Sequence, residues 1–394
     1  MVEKNSRKLV IFCTILNGEL AMKATKESKQ PDVNSIMVGC DLHSKNMLVK
    51  IAVGREKPRM GSYANTFVGR RRLIADLAKQ SLKAGGAQVH VLYEASGLGW
   101  TLRDELTEAG MSCGVVAPTK VERSPKQKRT KTDEKDAERL LALLRGHILA
   151  GNELPLVWVP DKQTRDDREI TRARQDVSDK LTKVKAQVQM LLQRNAIEKP
   201  KSAGGAWTVR WREWIGELAG PNTQRPGMRI ALSSLLRQAQ ALNEELELLD
   251  AEIGKLAQQP RYSKPAAALD AIPGVGPLTA MVFLTEMGDL TRFKNRKQVS
   301  AFLGLVPSSN ESGEKHDRKG RITREGPARL RKILCQAAWA WVRLNEGPNR
   351  IYHAMVDRGK NKKRAIVAIM RMLGVYLWHT GQRSNQPVHV AKAG

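Results

Sequence analysis

Ile36-Met37-Val38-Gly39-Cys40-Asp41 is a run of apolar and small residues closed by one acid. It is too short for a globular helix and apolar enough to be a buried strand. A second run of the same design, Val89-His90-Val91-Leu92-Tyr93, ends in Glu94. The third piece is Asp133 with Asp136, which open a helix and, three apart, face one way. A strand-end Asp, a strand-end Glu and a helical Asp pair together make a cage for hard divalent cations. Mg²⁺ takes oxygen ligands and completes its shell with water and phosphate. Two such ions clamp the attacking and leaving oxygens of a phosphodiester. Singly, each acid has an ordinary reading. A strand-end acid is commonly a solvated turn residue, and an Asp at a helix start is commonly a cap or a dipole partner. The three features in this order outweigh that reading.

Outward from this stretch, residues 35–150 alternate between strand and helix patterns. Strands are expected at 36–41, 47–53, 62–67, 88–93 and 112–116, with helices at about 70–84 and 97–109. The order suits a mixed sheet covered by helices, as in an RNase H-like α/β fold. Between the last strand and Asp133 lie Lys120, Arg123, Lys126, Lys128, Arg129 and Lys131, with Glu122 as the single acid. Beside a carboxylate cage this run reads as a clamp for a phosphate backbone.

The whole chain, 394 residues, is long enough for two or three domains. Its 67 Lys and Arg against 40 Asp and Glu give a formal charge of +27, which calls for a polyanionic partner, nucleic acid before membrane. Aromatic content of 5% disfavours stacking platforms as the main binding device. Cys13, Cys40, Cys113 and Cys335 form no C-x-x-C pair, so neither zinc nor a disulfide framework is suggested and a reduced, cytoplasmic setting fits. The apolar stretch Leu9 to Leu16 is too short to span a membrane and lacks a cleavage site. Residues 1–34 read as a polar extension, with Met22 or Met37 as alternative starts.

From 160 to 200 the pattern is helical, with Ile170, Val177, Val184 and Leu191 every seven residues. A second helix carries Leu235, Leu242, Leu249 and Leu256, with Ala239, Leu246 and Ile253 offset by four. These are coiled-coil positions, expected to form a helical pair that also serves subunit contact. Between them, 201–227 reads as irregular, with Trp207, Trp211 and Trp214. Leu269-Asp270-Ala271-Ile272-Pro273-Gly274-Val275-Gly276-Pro277 reads as helix, tight turn, helix. Gly274 and Gly276 would let the backbone approach a phosphate at the following helix N-terminus, as in a helix-hairpin-helix. Ser308-Ser309-Asn310-Glu311-Ser312-Gly313 precedes a basic block of Lys315, His316, Arg318, Lys319, Arg321, Arg324, Arg329, Arg331 and Lys332. A hydroxyl held among cations can attack phosphorus once a base or metal takes its proton.

Lys131-Thr132-Asp133-Glu134-Lys135-Asp136-Ala137 resembles the K-T-D-x-x-D-A motif of the DEDD insertion-sequence transposases, which include the Piv DNA invertase and the bridge-RNA-guided recombinases. Val157-Trp158-Val159-Pro160, Ile272 through Pro277, Pro307 through Gly313, Gly320-Arg321-Ile322-Thr323 and Leu330-Arg331-Lys332 are similar to successive parts of that family. The likeness covers roughly residues 35–375 in order. It implies a RuvC-like domain at 35–158 with Asp41, Glu94, Asp133 and Asp136 as a tetrad for Mg²⁺ or Mn²⁺. It further implies a helical coiled-coil region at 159–261 and a C-terminal transposase domain at 262–380, with a tail at 381–394. That last domain would supply a serine joined covalently to DNA. The family often has Ser-Ser-Gly in this turn; Glu311 replaces the first serine, leaving Ser312 as the expected nucleophile, with Ser308 and Ser309 as alternatives. Partners implied are donor and target DNA, a guide RNA from the element itself, and further copies of the chain as a dimer or tetramer. Phosphate contacts are expected from Lys120, Lys126, Lys128, Arg129, Lys131, Gly274, Gly276, Lys315, Arg318, Lys319, Arg321 and Arg324. Two other readings stay open: a hydrolytic RuvC-like nuclease, and a nucleic-acid-binding relic without activity.

Overall fold

The Ile36 run becomes β1 (Ile36–Leu42), the middle strand of a sheet completed by β2 (Asn46–Val53), β3 (Arg59–Ala64), β4 (Val89–Glu94) and β5 (Ser112–Val116). The computed structural model describes residues 35–121, 132–221, 225–309 and 319–385. These fall into two compact units, Met1–Val159 and Pro160–Gly394.

In the first unit the strand order is β3-β2-β1-β4-β5. The tight connections make β1–β2 and β2–β3 antiparallel, whereas β1–β4 and β4–β5 are parallel. Parallel pairing needs a crossover, supplied by α1 (Phe67–Lys83) and α2 (Thr101–Glu108). Side chains alternate across the strand. Ile36, Val38 and Cys40 pack on Leu73, Leu77, Leu102 and Leu106. Met37 faces the other way, onto Leu140, Leu141 and Leu144 of α3 (Asp133–Ala150). A sheet with both faces covered is therefore what the near-continuous apolar runs encode.

Two boundaries differ from expectation. The third strand lies at Arg59–Ala64 instead of 62–67, because Thr66 is the N-cap of α1, its hydroxyl accepting from the Gly69 amide at 3.1 Å. A β-branched cap reads as strand until its partner is seen. The second helix begins at Thr101 instead of 97.

In the second unit, α4 (Lys162–Arg194) and α6 (Pro226–Ala257) form an antiparallel hairpin. Leu181 and Val184 meet Ala239, while Val188, Leu191 and Leu192 meet Met228 and Leu232, so the residue numbers run in opposite senses. The seven-residue seams thus pack on each other within one chain, with Leu242 and Leu246 partly buried beside them. The stretch read as irregular holds a further helix, α5 (Val209–Leu218). Its Trp211 is buried, with Trp207 at 4.3 Å and Trp214 at 6.3 Å between ring centroids. Thr208 caps it; an apolar wedge, rather than periodicity, holds so short a helix in place.

Next come α7 (Ser263–Asp270), α8 (Pro277–Met287), α9 (Arg296–Phe302), α10 (Ala328–Leu344), α11 (Glu346–Asp357) and α12 (Lys362–Asn385). One core joins them to Ile253 and Leu256 of α6. α4 is pinned to α8 by polar contacts: Arg168 donates to the carbonyls of Thr285 and Glu286, and Arg172 to the buried Glu286 carboxylate at 2.8 Å. The regions expected as 159–261 and 262–380 accordingly share one unit. Among the described residues, no helix is long and apolar enough to cross a membrane.

Candidate carboxylate site and phosphate-facing residues

Asp41 sits near the end of β1, and Glu94 ends the adjacent parallel strand β4, where Cys40 pairs with Tyr93. Both acids therefore emerge at the same end of the sheet, where these parallel strands finish. Thr132 caps α3, its hydroxyl accepting from the Lys135 amide, and so sets Asp133 and Asp136 in the first turn. Lys50 of β2 holds Glu134 at 2.6 Å, tying that turn to the sheet.

Gly39 decides how close α3 can come. A Cβ there would lie 2.2 Å from the Ala137 carbonyl oxygen and 2.4 Å from the Leu141 amide nitrogen. Only a bare backbone lets the helix press onto β1, two residues before Asp41. Gly39→Ala is expected to push α3 off the sheet and destabilise the first unit by about 3 kcal/mol, the upper range for overpacking. Denaturant unfolding of the full chain measures this; a change below about 0.5 kcal/mol would show that the helix is not so constrained.

The acids divide into two pairs with different partners. His43 Nε2 lies 3.0 Å from Asp41 Oδ2 and 3.4 Å from Asp133 Oδ1. The ligand atoms of Asp41, His43 and Asp133 all lie within 4.8 Å of one another, a spacing that suits one cation. Arg139 joins the other two: one amino group donates to Glu94 Oε1 at 2.8 Å, the other is 3.0 Å from Asp136 Oδ1. Burial pushes the Asp41 carboxyl above its ordinary pKa. The hydrogen bond and charge of His43 oppose this, while Asp133 and Asp136 add to the rise. A crowded, half-buried group of carboxylates is one that a cation relieves. Two carboxylates and an imidazole fit a divalent metal of the Mg²⁺ to Mn²⁺ kind, Mn²⁺ accepting the nitrogen more readily.

Sequence reasoning missed both His43 and Arg139. His43 stands two residues after Asp41, hence on the same side of an extended chain. Arg139 stands three after Asp136 on one helix face. Each spacing was visible once the acids were chosen.

The expected phosphate contacts fare differently. Lys120 is exposed at the end of a single 3-10 turn, Pro118–Lys120, and Arg321 and Arg324 are exposed. Lys126, Lys128, Arg129, Lys131, Lys315, Arg318 and Ser312 lie outside the described residues. Gly276 is exposed as the N-cap of α8 with open space at its Cβ position. Gly274, at φ +93°, would drive a Cβ to 2.8 Å from the Trp341 amide nitrogen. Its bare backbone is thus required by packing against α10, whatever else approaches this turn.

The basic block is partly spent inside the unit. Arg329 donates to both oxygens of Asp176, at 2.6 and 3.0 Å, and Lys332 pairs with Asp179. Arg331 donates to the carbonyls of Leu303, Glu325 and Gly326. These three fix α10 against α4 and a loop. Strands β6 (Pro307–Ser309) and β7 (Lys319–Ile322), absent from the sequence reading, pair on either side of the segment that holds Ser312. The Ser308 hydroxyl donates to the Arg321 carbonyl at 3.0 Å, pinning this hairpin.

Residues 266–353 match the family model "Transposase IS116/IS110/IS902 family", and residues 38–196 match the DEDD model of IS110 transposases. Over 90% of its length the chain is 28% identical to "Putative transposase y4qE" of Sinorhizobium fredii, covering 90% of that protein. It is 25% identical to the transposase for insertion sequence element IS1533 of Leptospira borgpetersenii, over 77% of this chain and 84% of that one. The pilin gene-inverting protein of Moraxella bovis is 30% identical over 37% of this chain and 45% of its own. The chain belongs to the IS110/IS116 family of insertion-sequence transposases.

Proposed function

We propose that this transposase is a metal-dependent DNA recombinase with a RuvC-like tetrad of Asp41, Glu94, Asp133 and Asp136 and a serine nucleophile, Ser312. The observation that carries the reading is the close seating of α3 on β1 at Gly39, with Asp41, His43 and Asp133 within reach of one ion. A bound Mg²⁺ or Mn²⁺ would supply positive charge for the phosphate and make a hydroxyl easier to deprotonate. Asp41 and Asp133 would hold that charge in place, with His43 between them as a third donor within reach. Arg139 neutralises the half-buried Glu94 and the buried Asp136, which keeps both acids compatible with an incoming polyanion.

In the chemical step the Ser312 oxygen bonds to phosphorus as the bond to the leaving deoxyribose oxygen breaks. The departing oxygen takes up a proton in place of the one serine loses. One ester replaces another, so no nucleotide cofactor is needed. Donor and target DNA are the substrates, an element-encoded RNA guides the pairing, and several copies of the chain assemble to bring the parts together.

The test is to incubate the full-length protein with Mg²⁺ or Mn²⁺ and its cognate nucleic acid, then to look for a covalent protein–DNA species. Cleavage without any adduct selects hydrolysis and overturns the serine reading. A separate measurement concerns the basic run before α3. Neutralising Lys126, Lys128 and Arg129 together is expected to lower the slope of log K against log salt by about 2 to 3, with little change in sequence preference. An unchanged slope would assign those charges to solvent.

A further inference from the structure

A cavity of about 860 Å³ in the second unit differs from its neighbours in the sign of its lining. Arg296, Lys297, Arg371 and His379 line it, and among the described residues no carboxylate does. Three other cavities all carry acids: Asp161 and Asp289 in one, Glu244, Glu247 and Asp250 in the next, Glu198 in the last. Its volume lies in the range of roughly 300–1,000 Å³ usual for sites that take a small molecule or one residue of a polymer.

Its floor is aromatic. The rings of Trp341 and Tyr376 stack with centroids 5.9 Å apart and planes 22° from parallel. Trp341 is 9% exposed and fixed by the core, whereas Tyr376 is 48% exposed. Tyr376 is therefore backed by an immobile ring and open on its outer side. Met372, Val375, Tyr376 and His379 recur at helical spacing, so one stripe of α12 supplies this wall. An open aromatic face rimmed by cations is the pairing that holds unpaired nucleotides: bases stack, phosphates meet Lys and Arg. The low aromatic content of the chain argues against stacking as its general device, which makes one backed and exposed ring beside three cations more informative.

Two connections tie the cavity to its surroundings in the second unit. Val306 lines it, and the next residue begins β6, the strand that leads into the Ser312 segment. The main chain at Trp341 also seats Gly274 of the turn before α8. The stack, the turn and the start of β6 thus adjoin one another in the second unit.

We infer that this cavity receives one unpaired nucleotide of a DNA strand, its base stacked on Tyr376 and its phosphates held by Arg296, Lys297 and Arg371. The inference rests on the chain being a DNA transposase, but not on metal or serine chemistry. A nucleotide pulled out of the duplex here would mark the strand beside the phosphodiester to be exchanged.

The test is binding of a short single-stranded DNA by the full-length protein in EDTA, so that failure of the proposed cleavage chemistry leaves it untouched. With 2-aminopurine along the strand, one position should quench on binding. Tyr376→Ala should weaken binding by about 5- to 150-fold, the range for loss of one stacked base. Tyr376→Phe, which keeps the ring and core packing, should stay within about twofold of wild type. An abasic nucleotide at the quenched position should cost wild type the same factor and Tyr376→Ala nothing more. Arg371→Gln should lower the salt slope by about 0.7, the value for one phosphate on a single strand. Equal loss on intact and abasic DNA would mean that Tyr376→Ala merely disturbs the fold, and would overturn the inference. So would full affinity in Tyr376→Ala, or Tyr376-dependent binding confined to RNA of the same sequence.

Discussion

Asp133→Ala is expected to leave nucleic-acid binding within a few-fold of wild type and to abolish strand transfer. Asp133 is the cleanest of the four acids to remove. Its side chain is 52% exposed, and Thr132, not Asp133, caps the helix. Loss of folding cannot then explain loss of activity. Metal charge stabilisation is worth several kcal/mol in the transition state, and each 1.4 kcal/mol is tenfold in rate. A fall of about three orders of magnitude or more should follow. Asp41→Ala, Glu94→Ala and Asp136→Ala should fall as far in rate. Asp136→Ala must be judged against its stability, because it strips a partner from the largely buried Arg139. Recombination near wild type in Asp133→Ala, measured with excess Mg²⁺ and with Mn²⁺, would remove that residue from the tetrad.

The sheet was legible because buried strands write themselves as apolar runs, and the acids stood out as the first polar residue after each run. Positions that depend on tertiary contact were not legible. Gly39 looks like any glycine in a strand until Ala137 and Leu141 are brought against it. Arg139 reads as the outer half of a helix-surface pair with Asp136, and only the β4 neighbour shows that it also reaches Glu94. β6 and β7 hold Ser, Gly, Lys and Arg, with almost none of the residues that favour strands. Pairing between the two segments, not propensity, makes them strands. In the cationic run after Ser312, charge alone does not reveal which side chains have partners. Arg329 and Lys332 find theirs on α4, Asp176 and Asp179, some 150 residues earlier in the chain. Their acids are on a helix face that, in sequence, looks merely solvated.

Ser312→Ala is expected to eliminate a covalent protein–DNA species that the wild-type protein forms with metal and cognate nucleic acid. Affinity should barely move, since one neutral hydroxyl among so many cations adds little to phosphate binding. Three serines compete for the role, and two of them have a described place in the β6–β7 pair. The Ser308 hydroxyl already donates to the Arg321 carbonyl across the β6–β7 pair, so Ser308→Ala should keep the adduct while loosening the hairpin. Ser309 pairs with Lys319 in the same ladder. Ser312 lies three residues further on in the sequence, outside the described residues, and is followed by Gly313 and the cations Lys315 and Arg318. Ser312→Cys should retain at most a trace, because a thiolate is a competent nucleophile but a poor match for metal-assisted chemistry at phosphorus. Peptide mapping of the trapped species by mass spectrometry identifies the attached residue directly. A phosphate on Ser309 would move the nucleophile by three residues and leave the mechanism intact. Cleavage that continues when Ser308, Ser309 and Ser312 are all replaced by alanine would instead mean that water attacks the phosphodiester, and that the carboxylate site works as a nuclease on its own.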